Sequence, residues 1–389
     1  MRQSARRIAA LVAAVALVSV ASGCGKQTAA EPTDTGGAEA KEVKIGFAAP
    51  LTGDNAIYGE GMQRAVQLAI DEANASAEAK DAGITFVIQP GDDAADPKQA
   101  VNVANQLAGD TEVVAVVGHF NSGCSIPAAP VYDESEMAMV TVSSNPQLTA
   151  QGLKNVNRIV AKDDAQGGFA GALAIELGYK NVALIDDATP SGQGLATEFK
   201  KAFAEKGGSI VTEDRIQPKE VDFSALVTKM KQKSPDAVYY AGAHTEGALI
   251  SKQMKSAGLD VPVMGGDMLY TPEYIKIAGE KNAEGDIATA LGLPLEQQPQ
   301  GTQFMQKYQE AYDKAPEAYD SYAYDAARII IQAVLTAGPD RAKVLEAVRA
   351  GTLTDGVTGI VAFDGNGDNK EQVIAGYNVT GGEWKQIEK

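Results

Sequence analysis

An α/β fold of two parallel-sheet units is predicted by three features of the 389-residue chain. Strand-like and helix-like stretches alternate along it with short glycine-punctuated turns, the pattern of repeated strand–helix units. The run VVAVVG at 113–118 is continuous and β-branched, as expected of a central parallel strand covered on both faces. The alternation runs through one set, restarts near residue 165, and near 290 gives way to two long helical stretches.

The first residues read as an export signal. Arg2, Arg6 and Arg7 make a basic start, and Ile8 to Ala21 is almost wholly apolar, the character of a signal-peptide core and short for a membrane span. Ala21, Ser22 and Gly23 then precede Cys24. A cleavage site directly before a cysteine resembles a bacterial lipoprotein signal, in which the cysteine is acylated and becomes the mature N-terminus. Residues 1–23 are therefore expected to be removed. Residues 24–42, small, polar and containing Pro and Gly, are expected to form a flexible tether behind a lipidated Cys24. Membrane contact would run through that N-terminal lipid only, on the extracytoplasmic face of a bacterial cell.

The remaining chain, from about Val43 to Lys389, is long enough for two lobes with a substantial core. With Cys24 lipidated, Cys124 has no partner, so no disulfide framework is expected. Formal net charge is −17, from 34 basic and 51 acidic residues. Such a chain repels nucleic acid and anionic lipid surfaces.

Taken in order, VKIGFAA at 43–49 reads as a strand, followed by Met62, Ala65, Val66, Ala69 and Ile70 at helical spacing. ITFVIQP is a strand, Val101, Ala104 and Leu107 mark a helix, and VVAVVG and MAMVTVS are further strands. In the second set Phe169, Leu173 and Leu177 mark a helix, NVALIDD a strand, and Leu195, Phe199, Ala202 and Phe203 a helix. SIVTED, DAVYYAG and VPVMGGD follow as strands, with Phe223, Leu226, Val227 and Met230 on one intervening helix and Leu249, Ile250 and Met254 on another. Two long helices carry Phe304, Tyr308 and Ala311, then Ala326, Ile329, Ile330, Ala333 and Val334. The stretch GIVAFDGNGDNKEQVIAGYNV reads as a hairpin closed by an Asp-Gly-Asn-Gly turn.

Parallel sheets place ligand-capable loops at strand C-terminal ends. GHFNSGCS, at 118–125, is such a loop: a strand end, two hydroxyls, an amide and glycines, leading into a helix whose free N–H groups suit an anion. A catalytic constellation does not assemble. The two histidines are His119 and His244, the sequence His244-Thr245-Glu246 is not a zinc-protease motif, and NSGCS is not a nucleophile elbow. Gly46 and Gly53 do not form a dinucleotide fingerprint. DGNGDN at 364–369 lacks the glycine (Asn369) and glutamate (Ala375) of a calcium loop. A non-enzyme without cofactor or metal is expected.

Several stretches together resemble the periplasmic leucine/isoleucine/valine-binding proteins, the solute receptors of branched-chain amino acid ABC transporters. They are VKIGFAAPLTGDNAIYGEGMQRAVQLAIDEAN, DDAADPKQAVNVANQL, VVGHFNSGCSIPAAPVYDE, MVTVSSNPQLT, DDAQGG, DFSALVTKMK and DAVYYAGAHTEGALISKQMKSAGL, and the resemblance spans about 43–380. It implies a type I periplasmic-binding-protein fold, two lobes joined by a three-segment hinge. Lobe one would comprise 43–161 plus 291–357, and lobe two 162–290 plus 358–389.

The same resemblance implies roles. Ser122 would hydrogen-bond an amino acid α-carboxylate, with Phe120 and Asn121 before it. In VSSNP, the Ser143 carbonyl would meet the α-ammonium, with Ser144 beside it and Asn145 at a family threonine position. Asp267 would pair the ammonium. Tyr58 would wall the side-chain pocket and Tyr319 contribute from the third segment. Ser191 and Ala243 stand where the family has tyrosines, which implies an enlarged or reshaped pocket. The family's disulfide positions fall at Ala94 and Asn121. The function implied is capture of a branched-chain or related amino acid between the lobes and delivery to ABC permease subunits, by a monomer that binds no nucleic acid. The alternatives are a receptor for short amides, urea or aromatic acids, or a sensory ligand-binding subunit.

Overall fold

The computed structural model describes residues 40–387; Cys24, the expected signal peptide and most of the expected tether lie outside them. Five strands form the first sheet: β1 (Lys41–Ala49), β2 (Ile84–Asp92), β3 (Val113–Gly118), β4 (Ala138–Thr141) and β5 (Val156–Arg158). They lie in the order β2-β1-β3-β4-β5, every pair parallel. Alternate residues feed two cores, as strand geometry requires. Ile45, Phe47 and Val140 face a core completed by Met62 and Val66 of the helix Ala56–Ala75 and by Ile330 and Val334 of the helix Asp320–Ala337. Ala48, Val116 and Met139 face the other, completed by Leu107 of the helix Pro97–Gly109 and Tyr132 of the helix Ser122–Glu134. All of VVAVVG is buried, as a strand covered on both faces must be.

The second sheet contains β6 (Asn181–Asp186), β7 (Ser209–Arg215), β8 (Ala237–Ala241), β9 (Val263–Gly265) and β10 (Ile287–Leu291). After a separate two-stranded ribbon of β11 (Thr352–Gly356) and β12 (Gly359–Ala362), it gains β13 (Ile374–Thr380) and β14 (Glu383–Gln386). The order is β14-β13-β10-β9-β8-β6-β7, parallel except at the β13 and β14 edge. One face packs Leu173, Phe199 and Phe203 of the helices Asp163–Glu176 and Pro190–Glu205. The other packs Val227, Met254 and Tyr274 from the helices Ser224–Lys231, His244–Ser256 and Pro272–Ala278. Each such buried side chain stabilises the fold by about 1.5–3 kcal/mol.

The hairpin expected at 359–379 does not form. Its turn is real: the Asp364 carboxylate accepts the N–H groups of Asn366 and Asp368 at 2.8 and 2.9 Å. The flanking strands part, however, because β12 pairs with β11 while β13 pairs with β10 and β14. The loop between them carries the chain from the first core, which holds Val361 and Phe363, to the second sheet. Val361 and Phe363 thus pack with the first core although they follow the expected 357/358 boundary.

Candidate functional site

The 118–125 loop is held from behind. At Gly118, φ is +134° and a Cβ would lie 2.1 Å from the Ala48 carbonyl oxygen, so only glycine fits. The His119 ring turns inward, its Nδ1 2.7 Å from Asp93 and its Nε2 3.1 Å from the Tyr132 hydroxyl. Its carbonyl accepts from Thr141, Ser143 and Ser125 hydroxyls. Asn121 then starts the helix Ser122–Glu134, its carbonyl accepting the Ser125 N–H at 3.0 Å, while its buried side-chain Oδ1 has no hydrogen-bond partner. The Ser122 hydroxyl accepts the Asn145 N–H at 3.3 Å.

The neighbouring 142–145 segment is extended, so its side chains alternate. Val142 and Ser144 face the cleft between the sheets. Ser143 turns away and bonds Ser125 at 2.5 Å. Its carbonyl, expected to meet an ammonium, already accepts from the Arg158 guanidinium. Arg158 is fully buried and completes its bonding with Asp368 at 2.9 Å and Thr149 at 3.0 Å. That pairing is what a buried charge requires. Asn145 does not line the cleft and donates to the Pro190 carbonyl at 2.7 Å.

From the second sheet come Asp187 at the end of β6, Ser191 and Leu195 on the helix Pro190–Glu205, Gly242 after β8, and Gly266, Asp267 and Met268 after β9. Asp163 enters at the start of its helix and Tyr319 closes the wall. The space between these residues is about 490 Å³, counting the solvent at its open mouth. Of the residues expected at the site, Phe120, Asn121, Ser122, Ser144, Ser191, Asp267 and Tyr319 line it.

Tyr58, Ser143, Asn145 and Ala243 do not. Tyr58 lies behind the wall, 1% exposed, stacked on Phe120 at 5.1 Å and edge-on to Tyr319 at 5.5 Å. Its hydroxyl donates to the Met268 carbonyl at 2.8 Å and so accepts from His244 Nδ1 at 2.9 Å. Ala243 caps the helix His244–Ser256 and yields the wall to Gly242. Cys24 lies outside the described residues.

Sequence reasoning missed two acids. Asp163 and Asp187 join Asp267, so the lining holds three carboxylates and no Lys, Arg or His. Asp187 could have been found, because it ends a strand where parallel sheets place their sites. Asp163 opens DDAQGG, a stretch with no chemical signal of its own beyond the family resemblance. Loss of water pushes the Asp163 carboxyl up to about 7 and that of Asp187 to about 6. It also raises Asp267, against the pull of the Tyr319 hydroxyl that donates to it. One Asp163 oxygen, Oδ2, has no partner. The cleft therefore offers desolvated carboxyl groups, one with an unpartnered oxygen, together with the N-terminal end of the helix Ser122–Glu134, an arrangement complementary to a zwitterion. Among the described residues no group of three or more His, Cys, Asp and Glu could hold a metal ion.

Residues 42–383 match the model of the periplasmic binding protein family. The chain is 38% identical over 337 residues to Leu/Ile/Val-binding protein homolog 2 of Brucella abortus, covering 86% of this chain and 89% of that one. It is 34% identical to the leucine-, isoleucine-, valine-, threonine- and alanine-binding protein of Pseudomonas aeruginosa, covering 95% of each. Its fold superposes on the crystal structure of a leucine-binding protein from Thermotoga maritima with a TM-score of 0.82 at 30% identity, over 89% of this chain and 98% of that one. The chain belongs to the periplasmic binding proteins, a non-catalytic solute-binding family with the type I α/β architecture, and within it is a homologue of the Leu/Ile/Val-binding proteins.

Proposed function

We propose that the cleft captures a free amino acid and that closure of two lobes around it presents the protein to an ABC permease. The observation that carries this reading is the unpartnered Asp163 Oδ2, beside the desolvated Asp267 and facing a cleft that also holds the helix start at Ser122. The α-ammonium sits against Asp267 and Asp163, and the α-carboxylate on the Ser122 side, accepting from its hydroxyl and backbone. Ligand binding biases open toward closed by its differential affinity for the two. Lipid on Cys24 and the tether behind it keep the receptor beside its permease at the outer face of the membrane, which raises effective concentration. The curated relatives are named for leucine, isoleucine, valine and, in one case, threonine and alanine; the hydroxyl of Ser191 and the bare Gly242 in the lining favour a more polar side chain than valine.

The test is calorimetric titration of the protein with the twenty amino acids, after unfolding and refolding to strip carried-over ligand. Micromolar or tighter binding to one or more is expected. Silence across all twenty would overturn the amino acid reading and redirect the search to amides and small aromatic acids.

A further inference from the structure

Behind the Asp267–Tyr319 pair lies a second space, of about 1300 Å³ with its open mouth included. Asp267 and Tyr319 line both spaces and, through the hydrogen bond from the Tyr319 hydroxyl, form their common wall. The rear chamber is built differently from the cleft. Its second-sheet wall is Ile275, Tyr270, Tyr377 and Trp384, with Tyr270 4.1 Å from Tyr377 and 5.9 Å from Trp384 between ring centroids. Met305 and the segment 315–319, carrying Glu317, face it.

Two further properties point to a ligand. The lining holds four carboxylates, those of Asp267, Glu296, Glu317 and Glu383, and no Lys, Arg or His. It also holds polar atoms left unused: the Tyr377 hydroxyl, on a residue 2% exposed, has no hydrogen bond of good geometry even to its Tyr270 neighbour, and the buried Gln298 Oε1 has none. Unmade bonds of this kind are costly, and a donor-bearing guest would satisfy them. Aromatic rings beside carboxylates favour a cation with an apolar body. Loss of water raises the Glu317 carboxyl while Arg64, outside the lining, acts in the opposite sense; a cation inside would act as Arg64 does.

We propose that this chamber is a second ligand site, selective for a small aryl- or alkylammonium cation whose body lies on Tyr270, Tyr377 and Trp384 and whose ammonium meets the carboxylate-bearing wall. The proposal does not depend on what the cleft binds. Trp384 is the only tryptophan of the chain, so its fluorescence reports this chamber. The probe is 2-phenylethylammonium, titrated into the intact protein beside its neutral isostere 2-phenylethanol and the anion phenylacetate. A saturable change in Trp384 emission is expected for the cation, with the alcohol at least about tenfold weaker and the anion silent. Glu317→Gln should weaken the cation about tenfold, and Ala318→Phe, which fills the chamber, should remove the response. Circular dichroism establishes that each variant is folded, and Glu317→Gln carries the test alone if Ala318→Phe is not. No saturable response to the cation up to about 10 mM, equal affinity for cation and alcohol, or an undiminished response in Glu317→Gln would each overturn the proposal.

Discussion

Replacing Asp163 by Asn should flatten the pH dependence of stability in the ligand-free protein. A carboxyl raised by folding keeps its proton in the native state at pH values where the unfolded chain has lost it. The native state then binds more protons between about 4 and 7, so stability falls as pH rises across that window and stays lowered above it. For Asp163 the native value of about 7 against the ordinary 3.8 of a free aspartate corresponds to a loss on the order of 4 kcal/mol. Asn has the same shape and cannot ionise. Wild type and Asp163→Asn should therefore have similar urea midpoints near pH 4 and diverge through neutrality, the variant ending more stable by up to about 4 kcal/mol at pH 8. Asp187 and Asp320, raised as well, are common to both proteins and cancel in the comparison. Parallel curves for the two proteins from pH 4 to 8 would refute the argument.

Two further substitutions probe the site's frame. A Cβ at Gly194 would stand 2.8 Å from Asn145 Nδ2 and 2.8 Å from Asp163 Oδ2; Gly194→Ala should favour its own helix by up to about 1 kcal/mol yet reduce ligand affinity about tenfold or more, and unchanged affinity by calorimetry would show that this close approach is not needed. Arg158→Met should cost about 3–5 kcal/mol in urea unfolding, because Asp368 and the Ser143 carbonyl lose their buried partner; a loss below about 1 kcal/mol would mean that water replaces the guanidinium.

What could be read in the sequence depended on how local its cause was. VVAVVG predicted a doubly covered strand because six apolar β-formers leave few other choices, and β3 is buried throughout. β5 has three residues and includes Arg158, so it carries no periodicity; the partner that makes an arginine tolerable there, Asp368, lies 210 residues away. The turn at 364–367 was legible from its own chemistry, but strand pairing is a long-range choice, and the two flanking strands found different partners. The site shows the same division. Resemblance pointed to segments that line the cleft, while the period of two in the extended 142–145 segment decides that Val142 and Ser144 face it and Ser143 and Asn145 do not. Asp163 became visible only when the fold set it beside Asn145.

The direct bonds that hold the two halves together bear on how a ligand would act. Asn145 donates to Pro190, Tyr58 joins Met268 and His244, and Tyr319 donates to Asp267. These contacts are made by the protein's own groups, so the arrangement of the two sheets has favourable terms of its own. Opposing them is the loss of water around Asp163, Asp187 and Asp267, which raises all three carboxyls. Protons relieve that cost in the empty protein, and a cationic group relieves it in the occupied one. An ammonium entering at neutral pH would therefore displace protons, and affinity would rise with pH until the carboxyls are fully ionised. On this account selectivity for a charged head is written in the desolvated acids rather than in the serines, and the size of the side chain is left to Leu195, Ser191 and Gly242 on the opposite wall.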